Sequence, residues 1–294
     1  MGSGQHPSAG AMLTTLVREL VRQLQSGLPA ARADRDDAVH HLRTVVRRLR
    51  TALSVHRSLL DPQARTRLRE GLAELGARLG EVRDLEVRAH QAADLVTEVE
   101  APGDVRRRLV GDLEIAHADA HARLVRWCAS DDAAQLWAEL RRWAEEPPLI
   151  AAAGKPARTV ARRAVRKETD RLLRRSADLD PAADLEGAHV ARKAARRLRH
   201  TAEALSRPPV RILGKRVRRL GKAASGLQSV LGTHRDAVLL AAHARDVAGS
   251  VRGGDGSRAP YDGIAAAAER TADRALEGLA DAVARVRKAA HAIR

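Results

Sequence analysis

Apolar positions recur every three or four residues through nearly the whole chain. Val39, Leu42, Val46, Leu49 and Leu53 form one such stripe, and Ala188, Ala191, Ala195, Leu198 and Ala202 form another. That spacing places each set on one face of an α-helix. No segment alternates with period two over a useful length. With Gly, Pro and Asp as punctuation, the pattern predicts helices over Ala11–Gln25, Asp34–Leu60 and Gln63 to about Glu100. Asp104–Ala129, Asp131–Glu146, Ala157–Ala177 and Pro181–Ser206 follow, then Val210 to about Ala248 and Ile264 to about Ile293. Gly27 and Pro29 should end the first helix, Gly80 is a candidate break in the third, and Asp residues should cap the fourth and fifth. Residues 1–10 (MGSGQHPSAG) read as a flexible leader. Pro147-Pro148 to Pro156 reads as a linker, and Gly249–Gly263 as a flexible loop.

Composition supports the helical reading. The 294 residues allow one or two domains with ample core. Hydrophobic residues are 44%, which separates the chain from disordered tails. Aromatics are 1%, whereas sheets draw on aromatic and β-branched residues. Ala, Leu and Arg dominate instead and lead the helix propensity scale. A single cysteine, Cys128, excludes an intrachain disulfide framework and a Cys-based zinc site. No apolar run approaches the ~18 residues of a membrane span, and no secretory signal is visible. A cytoplasmic protein is the expectation.

Charge changes the picture more. The net formal charge is +16. Residues 1–147 hold 22 basic and 22 acidic side chains, whereas residues 148–294 hold 31 and 15. Most of the excess lies between Lys155 and Lys222, with 21 basic against 7 acidic residues. Such asymmetry points to a polyanionic partner, attracted mainly by the second half.

The chain also repeats. His40 to Arg50 and His189 to Arg199 both read H-x-x-R-x-x-x-R-R-L-R, 149 positions apart. Leu79 to Asp84 and Leu231 to Asp236 both read L-G-x-x-R-D, 152 apart. Pro147-Pro148 falls at the midpoint. An all-α fold of two helical bundles, related by a pseudo-twofold internal repeat, is the natural architecture. It predicts one domain over 11–294, with halves 11–147 and 156–294 joined by the Pro-rich linker.

On an ideal helix His40, Arg43, Arg47 and Arg50 cover an arc of about 80°. That arc flanks the apolar stripe and does not oppose it. His189, Arg192, Arg196 and Arg199 behave identically. Arg48 points elsewhere. A basic row beside a core seam should line a groove or cavity, and two facing bundles would bring two rows together around a basic central cavity. Arg presents a planar fork of donors matched to phosphate oxygens. Pairing with Glu70, Glu74 or Glu81 would explain single arginines, but not a repeated row with no acid inside either copy.

These motifs resemble the CHAD family, the conserved-histidine α-helical domain, over about Thr14 to Ala290. The resemblance implies an all-helical domain of two bundles around a basic cavity that binds inorganic polyphosphate, in proteins associated with polyphosphate granules. It implies ligand contacts from His40, Arg43, Arg47, Arg50, His189, Arg192, Arg196 and Arg199. Lys193 stands opposite Thr44 of the first copy, and His234, opposite Val82, is similar to the family's histidine in the second L-G motif. Lys215, Arg218, Arg219 and Lys222 are further candidates on the helix entering that motif.

Other constellations point to structure. Glu114, His117 and His121 share a face but have no third-helix partner, so no metal is expected. Asp84 and Asp236 should cap a helix or orient an arginine. Trp127, Trp137 and Trp143 should be core. Gly253-Gly254-Asp255-Gly256 lacks the Gly-Lys-Ser/Thr of a P-loop. No G-x-S-x-G and no carboxylate cluster for magnesium occurs, so no catalytic residue, cofactor or enzymatic activity is expected. Non-specific nucleic-acid binding is the first alternative, but no aromatic platform lies in the basic window. An enzyme of polyphosphate metabolism acting through His40 or His189 is the second. Membrane binding would need bulky apolar anchors on a basic helix.

Overall fold

The computed structural model describes residues 7–250 and 258–293. The described residues form α1 (Ala9–Arg32), α2 (Ala38–Val55), α3 (Pro62–Glu98), α4 (Gly103–Arg106), α5 (Asp112–Cys128) and α6 (Asp131–Glu145). Then come α7 (Ala157–Arg175), α8 (Leu185–Ser206), α9 (Lys215–Ser250), α10 (Ala259–Glu277) and α11 (Leu279–His291). A π-turn over Arg107–Gly111 joins α4 to α5. No strand occurs among the described residues, only two isolated bridges.

Several boundaries differ from the sequence reading. α1 begins inside the segment read as leader, because Ala9 N–H donates to Lys155 O (2.8 Å) and Ala157 N–H to Pro7 O (3.0 Å). Residues 1–6 lie outside the described residues. α1 runs through Gly27 and Pro29 to Arg32, with Leu24 and Ala31 buried on either side; that packing holds the helix against a local cost of about 1 kcal/mol for Gly and about 3 kcal/mol for Pro. α3 continues unbroken through Gly80, about 55 Å long at 1.5 Å per residue. Ser130, not Asp131, caps α6, accepting from Ala133 N–H at 3.3 Å. Pro102 occupies the cap position of α4 without a side-chain bond. α8 starts after Pro181, where Asp184 accepts from Gly187 N–H at 2.8 Å. α9 starts at Lys215, not Val210. The last predicted helix is two, meeting at Gly278, and α10 takes up Ala259–Gly263 of the predicted loop. Residues 251–257 of that loop lie outside the described residues.

Each half has its own core. Leu13, Val17, Leu24, Leu42, Leu49, Leu68, Leu72 and Leu79 centre the first. Ala161, Leu172, Ala195, Leu198, Leu220 and Leu227 centre the second. A third cluster is shared: the C-terminal part of α3 and α4–α5 pack through Leu95, Leu109 and Leu113 on Leu240, Ala244 and Ile264 of α9 and α10. Trp127 and Trp143 lie in the first core, with Trp137 packed against it. The linker is pinned, since Ile150 N–H donates to Leu59 O (3.0 Å) and Asp61 N–H to Pro148 O (2.9 Å). α2 meets α8 directly, through Arg48 with Glu203 and Arg197 with Ser54, which brings the two repeated rows together.

Candidate functional site

The rows meet between the halves. Arg43 and Arg47 on α2, and Arg192 and Arg196 on α8, are half-buried. Burial lowers Arg47 to about 9, helped by the charges of Arg43, Arg196 and Arg192. Burial likewise lowers Arg196 to about 10, with Arg192, Arg43 and Arg199 adding. Each group therefore feels cations of the other half. Arg47 and Arg196 stay protonated at neutral pH. Among the described residues Arg43 is the one row arginine within ion-pair distance of a carboxylate, Asp84 Oδ1 at 2.9 Å.

The L-G-x-x-R-D motif now has a physical role. A Cβ on Gly80 would stand 3.5 Å from Arg43 Nη2, and one on Gly232 would stand 3.3 Å from Arg192 Nε. Each glycine seats the equivalent guanidinium against the helix behind it. Four residues on, Asp84 accepts from Arg43 Nη1. Asp236 lies near Arg192 and Arg235; burial raises its pKa and those two arginines oppose the rise. Asp84 orients Arg43, and both aspartates sit mid-helix, so neither caps.

Arg50 and Arg199 flank the centre. Arg50 lies toward α3 near Arg69, with Gly76 making room for its Nη1. Arg199 donates to His200 Nε2 at 3.2 Å. His40 is exposed beside Arg83, and His189 is half-buried beside Lys193 and Arg235; burial lowers both pKa values and the cations add.

Other predicted residues lie elsewhere. His234 is 5% exposed; burial lowers its pKa against the charge of Asp273 on α10, and it occupies the motif position held by the fully buried Val82. It lies about 200° round α9 from Gly232 and belongs to the packing side. Lys193 is exposed in a separate cavity between α7 and α8. Lys215 lines a cavity of about 910 Å³ with Arg158, Arg162, Arg166 and Arg216. Arg218 donates to Ser206 O at 3.3 Å, while Arg219 and Lys222 are exposed along α9. Glu74 and Glu81 engage Arg78 and Arg123, not the rows. His117 and His121 face Asp34, and His121 Nε2 bonds Ala31 O at 2.9 Å.

The sequence reading missed a second set. Arg48, set aside by the helical wheel, donates to Glu203 of α8 at 3.4 Å, and Arg197 of α8 donates to Ser54 of α2 at 2.8 Å. Arg48 and Arg197 are repeat-equivalent, and so are Ser54 and Glu203. The halves exchange these contacts reciprocally. The doubled R-R pair in each copy was the available signal: its first arginine faces the row and its second crosses to the other half.

Residues 15–245 match the CHAD domain. The chain belongs to the CHAD-domain family. Its fold resembles PptA from Streptomyces chartreusis, at a TM-score of 0.75 and 21% identity, covering 94% of this chain and 99% of that one. It also resembles the CHAD domain from the plant Ricinus communis, at a TM-score of 0.68 and 21% identity, over 100% of this chain and 95% of that one. No curated protein sequence matches. The likeness to both structures is one of fold. Among the described residues no helix is long and apolar enough to cross a membrane.

Proposed function

We propose that this CHAD domain binds inorganic polyphosphate, the ligand of its family, and does not turn it over. The observation that carries the reading is the convergence of Arg43, Arg47, Arg192 and Arg196, each feeling cations of the other half, with Asp84 the one direct ion-pair partner among the described residues. Clustered cations repel and cost stability unless an anion joins them. A linear phosphate chain supplies closely spaced anionic oxygens that guanidinium forks match. In this reading the space over the four groups is the central cavity, the halves are related by a pseudo-twofold, and His40 and His189 guard its ends. A phosphate chain would draw both histidines toward their protonated, donating forms. Association with polyphosphate granules follows from such binding. Polyphosphates of graded length, titrated at several salt concentrations with duplex DNA as competitor, test it. The reading expects affinity to rise with chain length, fall with salt and resist DNA, with no phosphate released. Equal displacement by DNA favours the nucleic-acid alternative, and phosphate release or phosphotransfer lost on mutating His40 or His189 favours an enzyme.

A further inference from the structure

The central rows draw equally on both halves, so they leave the charge asymmetry unexplained. Much of it sits on α7, which carries eight cations against two acids. Arg171, Arg174 and Arg175 of α7, with Lys193 and Arg197 of α8, line a cavity of about 530 Å³ floored by Val190 and Ala194. Lys193 and Arg197 lie about 60° and 100° round α8 from Arg196, turned toward α7 and away from the central row.

The cavity is a built one. Glu168, its side chain 2% exposed, accepts from Arg171 Nη1 at 2.8 Å and from Arg197 Nε at 2.6 Å. Arg197 Nη1 is further held by Ser54 Oγ. Two guanidinium groups are thereby fixed by part of their donor set, leaving other N–H groups to the cavity. Arg174, Arg175 and Lys193 are exposed and form no ion pair among the described residues.

Among the described residues of the first half, the equivalent positions do not repeat this set. α1 and α7 share a burial pattern at a spacing of 148: Leu13, Leu16, Val17, Leu20, Val21 and Leu24 match Ala161, Ala164, Val165, Glu168, Thr169 and Leu172. On that register Leu20 stands for Glu168, Gln23 for Arg171, Ser26 for Arg174 and Gly27 for Arg175. Thr44 stands for Lys193. Leucine at a packing position is ordinary. A buried carboxylate is costly unless paired, and here it fixes two arginines over an open basic cavity.

We propose that this α7–α8 cavity is a second site for a phosphate chain, present in the second half only and independent of the central rows. The chemical class of its ligand rests on the polyphosphate reading; the separateness of the site does not. Two sites let one protein hold two phosphate chains, or two stretches of one.

Calorimetric titration with tripolyphosphate tests this, using Arg174→Ala/Arg175→Ala/Lys193→Ala and the central Arg47→Ala/Arg196→Ala. All three residues of the first variant are exposed, so its helicity by circular dichroism should be unchanged. Wild type should bind two equivalents, each variant one, and the combined variant none. Two equivalents retained by the triple variant, or a single wild-type equivalent abolished by the central variant alone, overturn the second site. If the central variant keeps both equivalents while the triple variant loses one, the second site stands and the reading of the central rows falls. No binding by wild type defeats both.

Discussion

Gly232 lies directly behind Arg192: a Cβ there would stand 3.3 Å from Nε and 3.4 Å from Nη2 of that arginine. Gly80 holds the same relation to Arg43 with more room, 3.5 Å to Nη2 and 3.7 Å to Nε. The glycine of each L-G motif is therefore a seat for a guanidinium and not a helix break. The backbone at both sites remains α-helical.

Gly232→Ala should uncouple stability from binding. Alanine is favoured over glycine mid-helix by about 1 kcal/mol, and the neighbour that must yield is a flexible side-chain end. Thermal stability should hold or rise, while polyphosphate affinity falls several-fold because Arg192 is displaced. Gly80→Ala should cost less affinity, since its Cβ meets Arg43 at ordinary contact. Melting curves beside binding isotherms check both variants.

The helical class and the repeated arginines were legible in the sequence, because 3.6-residue periodicity and a duplicated motif are local signals. Helix ends were less so. Gly27, Pro29 and Gly80 sit inside helices, where tertiary packing outweighs a local penalty. Which way a side chain faces depended on the partner helix. Arg48 proved to cross to Glu203, His234 to fill a core position, and Lys193 to join α7. Glu168 could not be read as an anchor, because its partners are a neighbour on α7 and a residue 29 positions away.

Glu168→Gln should destabilise the fold markedly. Removing one partner of a buried ion pair costs about 3–5 kcal/mol, as the remaining charges are left uncompensated. Arg171 and Arg197 are partly exposed, which places the expected loss near the lower end, about 3 kcal/mol. Urea denaturation checks it. A loss below 1 kcal/mol would show that solvent replaces the carboxylate.

Acid should weaken the fold through His56. Burial lowers its pKa to about 4 from an ordinary 6.5. The unfolded chain therefore binds the proton more readily. His56 contributes full stability above pH 6.5, and loses it as pH falls from 6.5 toward 4. At about 1.4 kcal/mol per unit, the loss by pH 4 is on the order of 3 kcal/mol. The adjoining cavity of about 140 Å³ also holds Arg48, Arg207, Glu19, Glu203 and His200. His200, buried beside Arg199 and Arg48, is shifted in the same direction. His56→Leu, which copies the repeat-equivalent Leu205, should flatten the slope of melting temperature against pH between 6.5 and 4.5. An unchanged slope would place the acid sensitivity elsewhere.

Cationic crowding at the centre predicts a trade of stability against binding. Arg47→Met keeps much of the buried stem and removes one charge from a field of four arginines. The unliganded protein should gain about 1 kcal/mol, or a few degrees in melting temperature, while affinity falls. Long-chain polyphosphate should raise the melting temperature of wild type more than that of the variant. A destabilised unliganded variant would mean that Arg47 serves packing.

The central claim is that both rows grip one phosphate chain, and Arg47→Ala/Arg196→Ala tests it most directly. Each charge-assisted contact is worth about 1.5–3 kcal/mol, so losing one from each half should weaken long-chain polyphosphate binding by about a hundredfold or more. Helicity should stay intact, and the salt dependence should be shallower than that of wild type. Unchanged affinity and an unchanged salt slope in a fully helical double variant would contradict the account.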